Sequence, residues 1–183
     1  MLDEGKVVLP IDLKALNYHE RDQEKWEDYV VRVGVPEDGP IRQFYCQVVY
    51  DHFEHHNDHY PDFLIGDYEF KITKLTVADV KNKVRFFNGE SLVEMWGFQY
   101  DEFEKKDYDY VIFQRMSHEK TPPFPPIIID SSKLVDNSWR EYGRPLHLIE
   151  GTHRASYLLR MAERNIIDWE SEHDFVLLTH KIV

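Results

Sequence analysis

The chain has 183 residues, 42 % hydrophobic and 14 % aromatic, enough to build a core and a length that suits one domain with an extension. Against 22 Lys and Arg stand 34 Asp and Glu, a formal net charge of −12, which repels nucleic-acid phosphates unless a local basic patch overrides it. The single cysteine, Cys46, excludes an intrachain disulfide and a Cys-built zinc site.

The opening residues "MLDEGKVVLP" carry neither a basic start nor a long apolar run, so no signal peptide is expected. No apolar run approaches the roughly 20 residues that span a bilayer. The expectation is a cytoplasmic protein with no membrane contact. The acid is unevenly spread. Residues 121–183 hold seven Lys and Arg and nine Asp and Glu, so most of the negative charge belongs to residues 1–120.

In chain order, residues 6–13 read as a short strand broken by Pro10. Trp26, Tyr29, Val30 and Val33 have helical spacing, with Gly34 placed to end the helix. A loop follows at 36–40. Tyr45, Val48, Val49, His52, Phe53, His56 and Tyr60 then predict a helix over 41–59, ended by Pro61, with a strand at 47–50 as the alternative. Residues 67–75 alternate apolar and polar, which predicts a half-buried strand. Thr76 and Asp79 have capping-box spacing and open a short helix toward Phe86. Asn88-Gly89 is a turn signal, and "SLVEMWGF" fits strand and helix equally. The charged stretch 100–110 reads as a solvated surface and 110–113 as a strand. "TPPFPP" is a stiff, extended lead-in to a buried strand at 127–130. A connection with room for a helical turn covers 131–145. A strand at 146–149, a helix from about Thr152 to Arg164 and a strand from Phe175 complete the pattern. The helix has an apolar stripe of Ala155, Leu158, Leu159, Ala162 and Ile166, and Asn165 can end it in the left-handed conformation.

The histidines of "DHFEHHNDHYPD" invite a metal reading, because His pairs four apart on a helix can bind a transition metal. No His-Glu-x-x-His register occurs, however, and His52 and His56 lie on the apolar stripe. Packing is therefore the expectation for His52, His55, His56 and His59, with no metal assigned.

Chemistry concentrates at Glu150-Gly151-Thr152-His153-Arg154, between a strand and a helix. A helix start leaves about four N–H groups without intrahelical partners. Its aligned peptide dipoles add roughly half a positive charge. Gly151 allows a sharp turn and close approach, Thr152 is a good N-cap by type, and His153 and Arg154 add donors. Arginine's planar fork suits phosphate. The junction is a candidate anion site. The ordinary alternative is a capping Thr152 and an Arg154 paired with Glu150 or Asp168.

The run "PPIIID", "LHLIEGTHRASYLLRMAERNII" and "FVLLTH" resembles the ParB/sulfiredoxin-like superfamily, strongly over 124–183 and in pattern from near Phe70. Members of that superfamily have a strand ending in a Gly-x-(His/Arg)-Arg motif that opens a helix. The resemblance implies an α+β fold: a small mixed sheet with packed helices over 67–183, preceded by an acidic, mainly helical extension over 1–66. It further implies that Gly151, Thr152, His153 and Arg154 cradle nucleotide phosphates, with ATP, ADP or CTP and Mg2+ as cofactors. Free-serine kinases share the superfamily and use an acidic base. By position, Glu150 or Asp130 would fill that role here. Thr152 stands where sulfiredoxins carry their catalytic cysteine, which excludes cysteine-based repair. The Glu-Asn-x-x-Arg motif of the partitioning proteins is absent, and no following helix-turn-helix is expected. With the −12 charge, nucleic acid is not the expected partner. The reading that follows is a domain that binds a nucleotide or phosphorylated small molecule and transfers or hydrolyses phosphate. The alternative is an acidic, non-catalytic interaction module, of inhibitor or immunity type, for a basic protein.

Overall fold

The computed structural model describes residues 9–60, 63–86, 89–134 and 142–181. The chain is α+β, and it divides into two compact units: Met1–Lys71 with His180–Val183, and Ile72–Thr179.

The first unit is helical. Ile11–Leu13 forms a 3-10 turn where the sequence suggested a strand, and residues 6–8 lie outside the described residues. Pro10 cannot donate to a ladder and its restricted φ suits the start of a turn. Helix α1 covers Trp26–Val33 and ends at Gly34, whose φ of 73° is the left-handed ending expected there. The helix expected over 41–59 is broken. Helix α2 covers Pro40–Phe44, a wider π turn covers Tyr45–Tyr50, and α3 covers Phe53–His59. His52, at φ −134°, flanks α3 rather than continuing it. Pro61, the expected stop, lies outside the described residues. Phe44, His56, Tyr60, Phe63 and Tyr68 build this unit's aromatic core.

The second unit holds the sheet. Strand β1 covers Tyr68–Thr76, with residues 72–76 in this unit. Helix α4 (Val77–Lys83) starts with the capping box read from the sequence: the Asp79 N–H donates to Thr76 Oγ1 at 3.0 Å, and the Thr76 N–H donates to Asp79 Oδ2 at 3.5 Å. Strand β2 is the two residues Val84–Arg85. Helix α5 covers Gly89–Lys106, which resolves "SLVEMWGF" as helix; Asn88 lies outside the described residues. The charged stretch from Tyr100 is mostly the end of α5, and Tyr100 itself is buried.

Residues 111–119 form helix α6 (Val111–Glu119), not the expected strand. Four apolar residues carry no period of their own. The helical spacing of Ile112, Phe113 and Met116 becomes decisive once that face packs on the core. Strand β3 is Ile127–Asp130, β4 is Leu146–Glu150, α7 is Thr152–Glu163 and β5 is Glu172–His180. Asn165 follows α7 at φ 57°, as its position suggested.

The mixed sheet runs β1-β5-β3-β4-β2. β3 is parallel to β5 and antiparallel to β4, and β2 is parallel to β4. β3 is central, which explains its unbroken run of isoleucines: both faces are covered, and Ile127, Ile128 and Ile129 are fully buried. Helices α4, α5 and α6 all pack on α7, whose Ala155, Tyr157, Leu158 and Met161 are completely buried. Among the described residues, no helix is long and apolar enough to cross a membrane.

Candidate functional site

The motif lies where β4 meets α7. Gly151 has φ 105°, a conformation that L side chains rarely adopt, and it occupies the N-cap position. Thr152 is already the first helical residue, so it is not the cap its type suggested. Gly151 has no side chain with which to cap α7. The first intrahelical bond runs from the Ala155 N–H to the Gly151 carbonyl at 2.9 Å.

Gly151 is needed for a second reason. A Cβ there would sit 2.8 Å from Pro126 Cβ and 3.0 Å from Pro126 Cα. The close approach that glycine permits is thus taken up by the chain's own proline segment.

Arg154 fastens that segment. The residue is 4 % exposed, and its Nη1 donates to the Phe124 carbonyl at 3.1 Å while Nη2 donates to Glu150 Oε1 at 3.2 Å. Phe124 lies between prolines, in a stretch with few N–H groups to form a ladder, so its carbonyl needs a donor from elsewhere. Arginine supplies it without giving up its bond to Glu150, because the guanidinium fork presents two directions at once. The charge lies beneath the helix start, and Glu150 neutralises it in part.

His153 is half-buried. Its ring lies 3.8 Å from that of Trp96, 5.7 Å from Tyr110 and 6.0 Å from Tyr157, measured between centroids. Burial pushes the imidazole pKa below its usual value; the Glu150 charge raises it and the Arg154 charge lowers it further. Burial also raises the Tyr110 phenol. Trp96, Tyr110 and Phe124 were not singled out as site residues in the sequence. Trp96 lay in a stretch that fitted either type of element, and Tyr110 in one read as a strand.

Asp130 does not join this group. Ile127 pairs with Glu150 and Asp130 pairs with Leu146, three positions along β3, or about 10 Å at the rise of a strand. Asp130 instead accepts the Ser132 N–H at 2.9 Å, starting the 3-10 turn Ser131–Lys133. The two candidate bases are therefore not brought together, and the nearer one, Glu150, is engaged with Arg154.

The histidines of the first unit split between surface and core. His56 is 1 % exposed, stacked 4.9 Å from Tyr60 and edge-on to Phe44 and Phe63. Burial, with a smaller contribution from the His55 charge, lowers its pKa to about 3. His55 and His59 stack on one another at 3.8 Å. Among the described residues, no group of three or more His, Cys, Asp or Glu side chains is arranged to hold a metal ion. Comparison with protein-family models, with curated proteins and with solved structures finds no match for this chain.

Proposed function

We propose that the second unit is a phosphate-binding domain whose ligand, a nucleotide or phosphorylated small molecule, is held by the first turn of α7. The supporting observation is the helix start: the N-cap is Gly151, which has no side chain to cap with, and a buried guanidinium lies below the first turn. Helix dipole and arginine charge both favour an anion there. The likeness of Glu150-Gly151-Thr152-His153-Arg154 and its flanks to the ParB/sulfiredoxin-like superfamily supports the same reading.

The residues present suit one phosphate group on backbone N–H groups and the Thr152 hydroxyl. The Trp96–His153–Tyr110 rings border the same turn and offer an apolar wall to the rest of the ligand. Arg154 acts from beneath as a positioning residue, since its visible donors serve Phe124 and Glu150. With ATP, ADP or CTP, Mg2+ would arrive as the counter-ion of the nucleotide. The reading is binding rather than phosphoryl transfer, because Asp130 caps a turn at the far end of β3 and Glu150 is ion-paired.

The test is thermal melting with ATP, ADP, CTP and inorganic phosphate, with and without Mg2+, on the natural chain and on Thr152→Asp. A ligand that binds only the folded state raises the melting temperature. An aspartate in the first turn favours the helix by about 0.3–1 kcal/mol while repelling a phosphate, so the variant should melt no lower and lose the ligand shift. No shift with any phosphate compound, or a shift that survives Thr152→Asp, sinks the reading.

One observation favours the second reading, an acidic module for a basic protein. Ile11, Leu16 and Val31 are 74 %, 56 % and 83 % exposed within the acidic N-terminal part of the chain. Loss of all nucleotide response, together with capture of a basic partner that Val31→Asp abolishes, would transfer the assignment to it.

A further inference from the structure

The first unit carries a second feature, independent of the phosphate reading. Of the histidines at 52, 55, 56 and 59, only His56 is buried in the core. His55 is exposed and His59 partly so. The two stand four residues apart on α3, so they lie on one face, one turn above the other. Their rings meet at 3.8 Å between centroids, with the planes 34° apart. His52 flanks the helix, its ring 6.4 Å from that of His55, and does not belong to the pair.

The separation of the pair suits a shared ion. An imidazole nitrogen lies about 2.0–2.1 Å from a bound zinc ion, so two nitrogens on one ion are about 3–3.5 Å apart. The stacked rings already stand near that distance. Each lone pair lies in its own ring plane, and the rings converge by turning about χ2, a broad and soft torsion for histidine. His59 Nδ1 is buried, which leaves Nε2 as its ligating nitrogen.

The surroundings favour a cation. Residues 51–60 contain Asp51, Glu54 and Asp58 and no Lys or Arg. Of these acids, Glu54 is paired with Lys14 at 2.5 Å, and the rest of the field is negative. Such a field raises the local concentration of divalent cations. The nitrogen donors then select among them: imidazole suits late first-row metals, whereas Mg2+ and Ca2+ prefer oxygen.

We infer that His55 and His59 chelate a late first-row divalent metal ion, such as Zn2+ or Cu2+, on the outer face of α3. Two protein ligands leave the remaining coordination positions to water, so the site is open rather than a closed structural one.

The experiment is a titration of the nitrogen-15-labelled full chain with Zn2+ at neutral pH, following the histidine ring nitrogens by NMR. The His55 and His59 signals should shift saturably at one ion per chain, and Mg2+ at the same concentration should move neither. Calorimetric titration should show Cu2+ binding more tightly than Zn2+, the usual order for nitrogen sites. His55→Ala should raise the Zn2+ Kd roughly tenfold or more, since loss of a direct ligand costs no less than loss of a group that orients one. His59→Gln should do the same. Because His55 is exposed, His55→Ala should melt near the natural chain without metal, and it should lose the rise in melting temperature that Zn2+ gives the natural chain. Unmoved His55 and His59 signals, shifts centred on another histidine, an unchanged Kd in His55→Ala, or an equal response to Mg2+ would overturn the assignment.

Discussion

His56 in the first unit and Arg154 in the second are both basic side chains removed from water, and they are accommodated in opposite ways. His56 sits among Phe44, Tyr60 and Phe63 with neither ring nitrogen hydrogen-bonded. It is tolerated because imidazole can discard its charge, and its pKa falls to about 3. Guanidinium has no such escape at any accessible pH. Arg154 is therefore buried only with the Phe124 carbonyl and the Glu150 carboxylate in place. The first solution leaves a group that acid can turn against the fold. The second makes a rigid junction, on which the proposed phosphate site is built.

Removing Arg154 should give the largest effect. Arg154→Ala leaves a carboxylate and a carbonyl without their donor, at a cost of about 3 kcal/mol or more for a buried pair. Urea denaturation measures it, and a loss below about 1 kcal/mol would mean the pair holds nothing together. Arg154→Lys should recover little, because a single ammonium lacks the fork that reaches both acceptors. Gly151→Ala comes next, at about 2–3 kcal/mol, from the positive φ together with the 2.8 Å approach to Pro126. A D-alanine introduced at 151 by chemical ligation would accept the φ but point its methyl group differently, separating the two causes.

Acid should sharpen the contrast from the His56 side. The folded pKa of about 3 lies below the usual 6.5, so the folded state holds His56 neutral while the unfolded state takes up a proton. The stability this contributes is fully present above pH 6.5 and is lost as pH falls toward 3, at about 1.4 kcal/mol per pH unit. His147, buried in the second unit and lowered to about 4, adds to the same trend. Its Nδ1 accepts the Gly143 N–H, a bond that protonation at that nitrogen breaks. His56→Phe should flatten the pH dependence of stability between pH 6 and 4, leaving the His147 part. An unchanged slope would show that His56 is not held neutral.

The smallest effect is expected from a charge cluster at the surface. Arg160 and Arg164 both hold Asp101, with all three side chains partly solvated. Asp101→Asn should cost about 1 kcal/mol or less, and added salt should shrink the difference. A cost equal to that of Arg154→Ala would show that charge, not burial, governs both clusters.

Much of the second unit was legible because its local signals agree with its tertiary environment. The isoleucine run could only be a covered strand, the Thr76–Asp79 pair closes its capping box, and Asn165 takes the left-handed turn. Where the local signal is weak, the environment decided. Residues 110–113 read as a strand, but α6 forms because Phe113 and Met116 bury together one turn apart. The helix over 41–59 was sound in its apolar spacing, yet a π turn and a break at His52 interrupt it. At the motif the residue types were visible, but their assignments were not. Thr152 looked like the cap, and Gly151 is the cap.

The sequence by itself determined the mixture of strands and helices, the place of the strand-to-helix junction and the use of a glycine there, because period, capping and turn chemistry act within a few residues of chain; the α+β arrangement was what the resemblance implied. Only the tertiary structure decided what that glycine admits and where each charge goes. Pro126 and Phe124 stand 25 and 30 positions before Gly151 and Arg154, and Asp130 is carried about 10 Å away by strand register. Burial, which sets the state of His56 and the partners of Arg154, belongs to the packed chain, since water is excluded only once distant segments meet.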